Sequence, residues 1–116
     1  MFKIKENGVP IFEQIADYFI EQIISKAILE GQFLPSIRSL AVTIQVNPLT
    51  IAKAYQKLEN AGWIEKVRGQ NFKVKEGVSL ILTNQMREKF LNEEWPLIFK
   101  KIKQLGLDLD FLNSKL

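Results

Sequence analysis

Apolar side chains at Ile11, Ile15, Phe19, Ile20, Ile23 and Ile24 recur at helical spacing, while Glu13, Gln14, Asp17, Glu21 and Gln22 fill the opposite positions. This predicts an amphipathic helix entered at Pro10, where a missing N–H costs little, and ending near residue 25. Ahead of it, residues 2–5 alternate apolar and basic side chains and read as a short strand, followed by an Asn7-Gly8 turn. Residues 26–35, punctuated by Gly31 and Pro35, read as a connector. Ser36 then suits an N-cap, because its hydroxyl can accept a free amide of the first turn, and Ile37, Leu40, Ala41 and Ile44 form the stripe of a second helix. Asn47-Pro48 predicts the start of a third: asparagine caps, and proline is favoured at the first helical position. Its inward residues are Ile51, Ala54, Tyr55 and Leu58, and Gly62 ends it.

Residues 63–67 and 72–75 predict two short strands joined by Arg68-Gly69-Gln70-Asn71, with Gly69 able to take a positive φ. From Gly77 the pattern changes. Leu80, Ile81, Met86, Phe90 and Leu91 suggest a helix to about residue 91. Asn92 can cap the next one, or a single long helix can kink at Pro96. Leu97, Ile98, Ile102 and Leu105 are the apolar stripe there, Gly106 ends it, and Asp108 or Asp110 can cap a last short helix. The expected fold is therefore mainly α with a small β hairpin. A winged helix-turn-helix domain occupies residues 1–76, and a helical tail residues 77–116.

Composition narrows the chemistry. Apolar residues make up 47% of the 116, enough for a buried core. The net charge is only +3, yet the stretch from Lys53 to Lys75 alone carries +4, a local excess suited to a phosphate backbone. With no histidine and no cysteine, the chain lacks the usual general base, thiolate metal sites and disulfides. No paired-carboxylate motif or glycine-rich phosphate loop appears, so neither an enzyme nor a cofactor is expected. Absence of cysteine fits a reducing cytoplasm. The charged N-terminus does not read as a signal peptide, and the longest apolar run, at residues 78–82, is too short to span a bilayer.

In a helix-turn-helix the second helix of the pair offers its N-terminal turns to base edges in the major groove. Its outward positions here are Asn47, Thr50, Lys53 and Lys57, at steps of three and four. Amides near Asn47 offer a phosphate site at the helix N-terminus. Arg68 at the wing tip suits a narrow minor groove. Trp63 and Phe72 read as core residues rather than stacking platforms.

Three stretches carry a family resemblance. They are Val9-Pro10-Ile11-Phe12-Glu13-Gln14-Ile15-Ala16, Leu34-Pro35-Ser36-Ile37-Arg38-Ser39-Leu40-Ala41, and the run from Val46-Asn47-Pro48-Leu49-Thr50-Ile51 to Ala54-Tyr55 and Leu58-Glu59, followed by Gly62-Trp63-Ile64 and Gly69. Together they resemble the GntR family of bacterial regulators over roughly residues 2–76, and the short tail resembles its YtrA-like subgroup. The resemblance implies that Arg38 contacts DNA from the start of the second helix and that Asn47 and Thr50 touch phosphates or bases. It also implies that Lys53 faces the same groove and Arg68 the minor groove, with Ser36 and Gly69 part of the same DNA-binding motifs. It further implies a homodimer paired through the tail, for which Phe90, Leu91, Trp95, Ile98, Phe99 and Ile102 are the candidate contacts; their alternative is to cover the core of the wing domain itself.

The expected function is a DNA-binding transcriptional repressor acting on an inverted-repeat operator in double-stranded DNA. The competing reading is a winged helix that binds protein. A tail of this length is too short to enclose a usual ligand pocket, and a small-molecule effector is left unassigned. Two departures from the family pattern affect local geometry: Gln45 stands where glycine is usual, and residues 26–33 lack the usual Pro-Gly-Asp.

Overall fold

The first helix forms where the period demanded it. In the computed structural model, which describes residues 2–116, α1 runs Ile11–Ile24 with Ile15, Ala16, Phe19 and Ile23 buried. The carbonyl of Pro10 accepts the amides of Glu13 and Gln14. Lys26 stops the helix by turning left-handed at φ 63°. The expected strand at residues 2–5 does not form. Instead the Gln14 side chain accepts the Lys5 amide at 2.8 Å and donates to the carbonyls of Lys5 and Val9, both at 2.9 Å. One side-chain amide thus satisfies both backbone groups of Lys5, the last residue of the expected strand.

The sheet is built from other segments. The wing strands β1 (Ile64–Lys66) and β2 (Phe72–Val74) pair antiparallel, with Ile64 opposite Val74. The other edge of β2 is taken by residues 31–34 from the connector. Gly31 and Leu34 donate to the carbonyls of Val74 and Phe72, and Val74 donates back to Gln32. A segment containing Gly31 carries no strand pattern, so this third edge was invisible in the sequence.

Helix α2 (Ile37–Ile44) is capped by Ser36, whose Oγ accepts the Ser39 amide at 3.0 Å. Only Ala41 of its stripe is fully buried; Ile37, Leu40 and Ile44 are half-buried against the core. Gln45 adopts the left-handed conformation itself, φ 54° and ψ 50°, at a cost of about 1 kcal/mol that glycine would avoid. Helix α3 (Pro48–Asn60) buries Ile51, Ala54, Tyr55 and Leu58, as its period required, and Gly62 follows it at φ 88°. Phe2, Tyr18, Phe19, Tyr55 and Phe72 stack edge to face through this core, with ring centroids 5.3–5.6 Å apart. Trp63 and Phe72 pack against the core, as expected.

Helix α4 (Val78–Lys89) begins under a clamp. Glu30 accepts the Gly77 amide at 2.9 Å on one carboxylate oxygen and the Ser79 amide at 3.0 Å on the other. These bonds, that from Gly77 foremost, hold the Glu30 carboxyl below the usual glutamate range. The folded value lies below the unfolded one, so the clamp stabilises the fold above the unfolded pKa. The contribution is lost as pH falls through the folded pKa. Thermal melts of wild type and Glu30→Gln from neutral pH downward should therefore differ most near neutrality and converge in acid. A gap that does not change with pH would assign the carboxylate charge of Glu30 no role in the clamp.

The chain divides into two compact units, one ending at Leu82 and the other starting at Thr83. Val78 and Leu82 are buried in the first. In the second, Asn92 caps nothing. Residues Phe90–Glu94 form a π-helical turn, and α5 (Trp95–Gln104) follows directly. The Trp95 amide reaches back five residues to the Phe90 carbonyl. The proline ring of Pro96 would collide with the carbonyl four residues earlier, and a wider turn gives it room without breaking the helix. Asp108 caps α6 (Leu109–Asn113) by accepting the Phe111 amide at 2.6 Å. No residue of this unit is fully buried within the single chain. No helix among the described residues is long and apolar enough to cross a membrane.

Candidate nucleic-acid interface

The entry to α2 is held from below. The buried Tyr55 hydroxyl donates to the Pro35 carbonyl at 2.7 Å, tying α3 to the residue before Ser36. Burial pushes the Tyr55 phenol well above its usual pKa, so it stays a proton donor. Arg38 projects from the first turn of α2, is exposed and takes part in neither ion pair of the described residues. Its guanidinium is available to an outside anion. Ser36 is half-buried and spends its oxygen on the helix cap.

At the start of α3, Asn47 accepts the Leu49 amide on Oδ1 at 2.9 Å, which leaves its Nδ2 protons for an external acceptor. The expected phosphate cradle of backbone amides is not present here. Pro48 has no N–H, the Leu49 amide is taken by Asn47, and those of Thr50 and Ile51 bond to the Asn47 carbonyl. Of the amides at this turn only that of Asn47 itself has no partner, so anion binding here rests on that amide and on side chains. Thr50 is half-buried.

The two lysines of α3 lean toward α1. Lys53 Nζ lies 4.1 Å from the centre of the Phe12 ring, and Lys57 Nζ lies 3.7 Å from Glu13 Oε1. A cation over an aromatic face is drawn by the ring quadrupole, so Phe12 orients Lys53 while leaving it exposed. Glu13 partly neutralises Lys57, which makes Lys53 the stronger candidate for a groove contact. Phe12 and Glu13 were not legible as site residues. They read as helix faces, and only the packing of α1 on α3 brings them to the lysines.

On the wing, Arg68 and Gly69 are exposed at the hairpin turn, Gly69 at φ 73°. Lys73 pairs with Glu65 at 3.5 Å, and Lys66 donates to the Gln70 carbonyl. Arg68, Lys66 and Lys75 therefore keep their charge outside the ion pairs of the described residues, and of these Arg68 stands at the hairpin turn. Ser36, Arg38, Asn47, Thr50, Lys53, Lys57, Arg68 and Gly69 all belong to the first compact unit. Those of α3 share one side of that helix, and Arg38 stands on the helix before it.

The proposed pairing residues lie in the second unit. Phe90 and Leu91 sit in the π-helical turn, while Trp95, Ile98, Phe99 and Ile102 sit on α5. Trp95 and Ile102 are half-buried, and the other four are exposed, Leu91 at 57%. Trp95 lies between Phe90 and Phe99, with ring centroids 6.3 and 5.7 Å away.

Comparison with known proteins agrees with this geometry. Residues 11–74 match the model of the bacterial regulatory proteins of the gntR family. The chain is 33% identical to the uncharacterized HTH-type transcriptional regulator YhcF of Bacillus subtilis over 102 residues, covering 88% of this chain and 83% of that protein. It is 32% identical to the HTH-type transcriptional repressor YtrA of the same organism over 110 residues, covering 95% and 78%. A solved GntR family transcriptional regulator from Listeria monocytogenes superposes with a TM-score of 0.74 at 27% identity, covering 95% of each chain. These relatives are transcriptional regulators rather than enzymes, and two of them match along nearly the whole chain, tail included. The chain belongs to the GntR family and is a winged helix-turn-helix transcriptional regulator of its short, YtrA-like type.

Proposed function

We propose that this regulator is a cytoplasmic repressor that binds an inverted-repeat operator as a homodimer. In this reading residues 1–76 bind DNA and residues 77–116 pair the two copies. The observation that carries it is the state of the second unit. It holds an aromatic run, Phe90, Trp95 and Phe99, yet none of its residues is fully buried in one chain. Ordering such a segment costs conformational entropy that only burial can offset, and a second copy supplies the missing apolar surface. Leu91, Ile98 and Ile102 extend the same interface. A two-fold pair then presents two copies of α3 to half-sites about one helical turn apart.

Arg38, Asn47, Thr50 and Lys53 make the major-groove and phosphate contacts, supported by Ser36 and Lys57, and Arg68 with Gly69 enters the minor groove. The repressor reading is supported by the relative that carries that description. The test is fluorescence anisotropy of the full chain on duplexes selected from a random pool, across a salt series, together with sedimentation of the free protein. The expected result is a dimer whose selected sites are palindromic and whose affinity falls steeply with salt. A monomer, or a site without two-fold symmetry, would sink the homodimer reading. Binding indifferent to both sequence and salt would favour a winged helix that docks on protein.

A further inference from the structure

Asn47 and Pro48 leave the first turn of α3 without a free amide, so what this turn offers a duplex is decided by its side chains. One of the exposed ones is a large apolar side chain: Leu49 is 77% accessible and has no place in or against the hydrophobic core. At about 100° per residue, Leu49 lies nearly opposite the stripe of Ile51, Ala54, Tyr55 and Leu58. It is therefore central on the outward face, with Lys53 one turn further along and Thr50 and Lys57 to one flank.

We propose that Leu49 is a specificity-determining residue that reads the 5-methyl group of a thymine in the major groove. The proposal rests on the DNA-binding reading of α3. Among the four bases, only thymine presents an apolar group on its major-groove edge. A leucine pressed against a cytosine or adenine amino group would strip water from a donor and give nothing back, which costs affinity. Against the thymine methyl, the same side chain removes apolar surface from water on both partners. Leu49 thus both attracts thymine and repels its competitors, while Asn47 and Lys53 make the polar contacts on either side.

The test uses the full chain and sites selected from a random duplex pool. Each thymine of the selected site is replaced in turn by deoxyuridine, which lacks only the methyl group. In the wild type, one thymine position in each half-site is expected to weaken binding about fourfold per methyl lost. Leu49→Ala should bind the thymine and uracil duplexes equally at that position, and Leu49→Asn should lose the thymine preference in a fresh selection. Both substitutions lie on the exposed face, and melting curves check that the fold is kept. Indifference of the wild type to every replacement, or an undiminished methyl effect in Leu49→Ala, would overturn the assignment while leaving the regulator reading intact. Failure to select any site would overturn both.

Discussion

Arg38→Ala should abolish selective operator binding without unfolding the protein. Arg38 is exposed on the first turn of α2 and takes part in neither ion pair of the described residues, so its loss should change folding stability by only about 0.5 kcal/mol or less. On DNA the loss is large. A guanidinium that contacts a base or phosphate is worth about 1–3 kcal/mol, and a dimer loses it twice, which weakens binding by about thirtyfold or more. Anisotropy titrations of wild type and Arg38→Ala, with thermal melts of both, check this. Reading the salt dependence adds detail. A phosphate contact would flatten the slope by about one unit per arginine and weaken all sequences alike, whereas a base contact would relax the preference at one position. Equal affinity of the two proteins for a selected site would remove Arg38 from the interface.

Tyr55→Ala is expected to be the most damaging substitution for the fold. The ring is 1% exposed and lies edge-on between Phe19 and Phe72, so truncation opens a cavity at the junction of α1, α3 and the wing. Loss of a buried aromatic costs about 3–5 kcal/mol, a large part of the stability of a small domain. The protein should melt far below the wild type, or fail to fold. Tyr55→Phe separates packing from hydrogen bonding. It keeps the aromatic row but leaves the Pro35 carbonyl without its buried donor, at about 1–2 kcal/mol. Because that bond holds the residue before Ser36 and Arg38, Tyr55→Phe should also weaken DNA binding more than its stability loss alone explains. Urea denaturation and anisotropy on the same three proteins decide it. A Tyr55→Phe variant with wild-type affinity would show that the bond stabilises the fold without placing the site.

The helices of the first unit were legible because each writes its own period. The inward set of α3 and the Ser36 and Asn47 caps depend on contacts within a few residues, and those are local in sequence. The motifs around Arg38, Asn47 and Gly69 carried the family in the same way. The strand expected at residues 2–5 failed for the converse reason. Alternation specifies a face but no partner, and Lys5 takes its hydrogen bonds from the Gln14 side chain of α1 instead of from a strand. The turn before Pro96 shows a similar limit. Proline announces a disturbance in a helix, but whether the chain breaks, kinks or widens depends on its surroundings.

By itself, then, the sequence determined the order and type of the main helices, the winged helix-turn-helix and the caps at the start of α2 and α3, because capping and amphipathic period act over one or two turns. Only the tertiary structure decided which charges are free. It set Lys53 over Phe12, paired Lys57 with Glu13 and Lys73 with Glu65, and left Arg38 and Arg68 outside every ion pair of the described residues. It also closed the amide cradle at α3 and left Leu49 on the outward face. Contacts between residues far apart in the chain, such as Phe12 with Lys53 and Glu30 with Gly77, arise from packing of the whole domain and leave no local pattern to read.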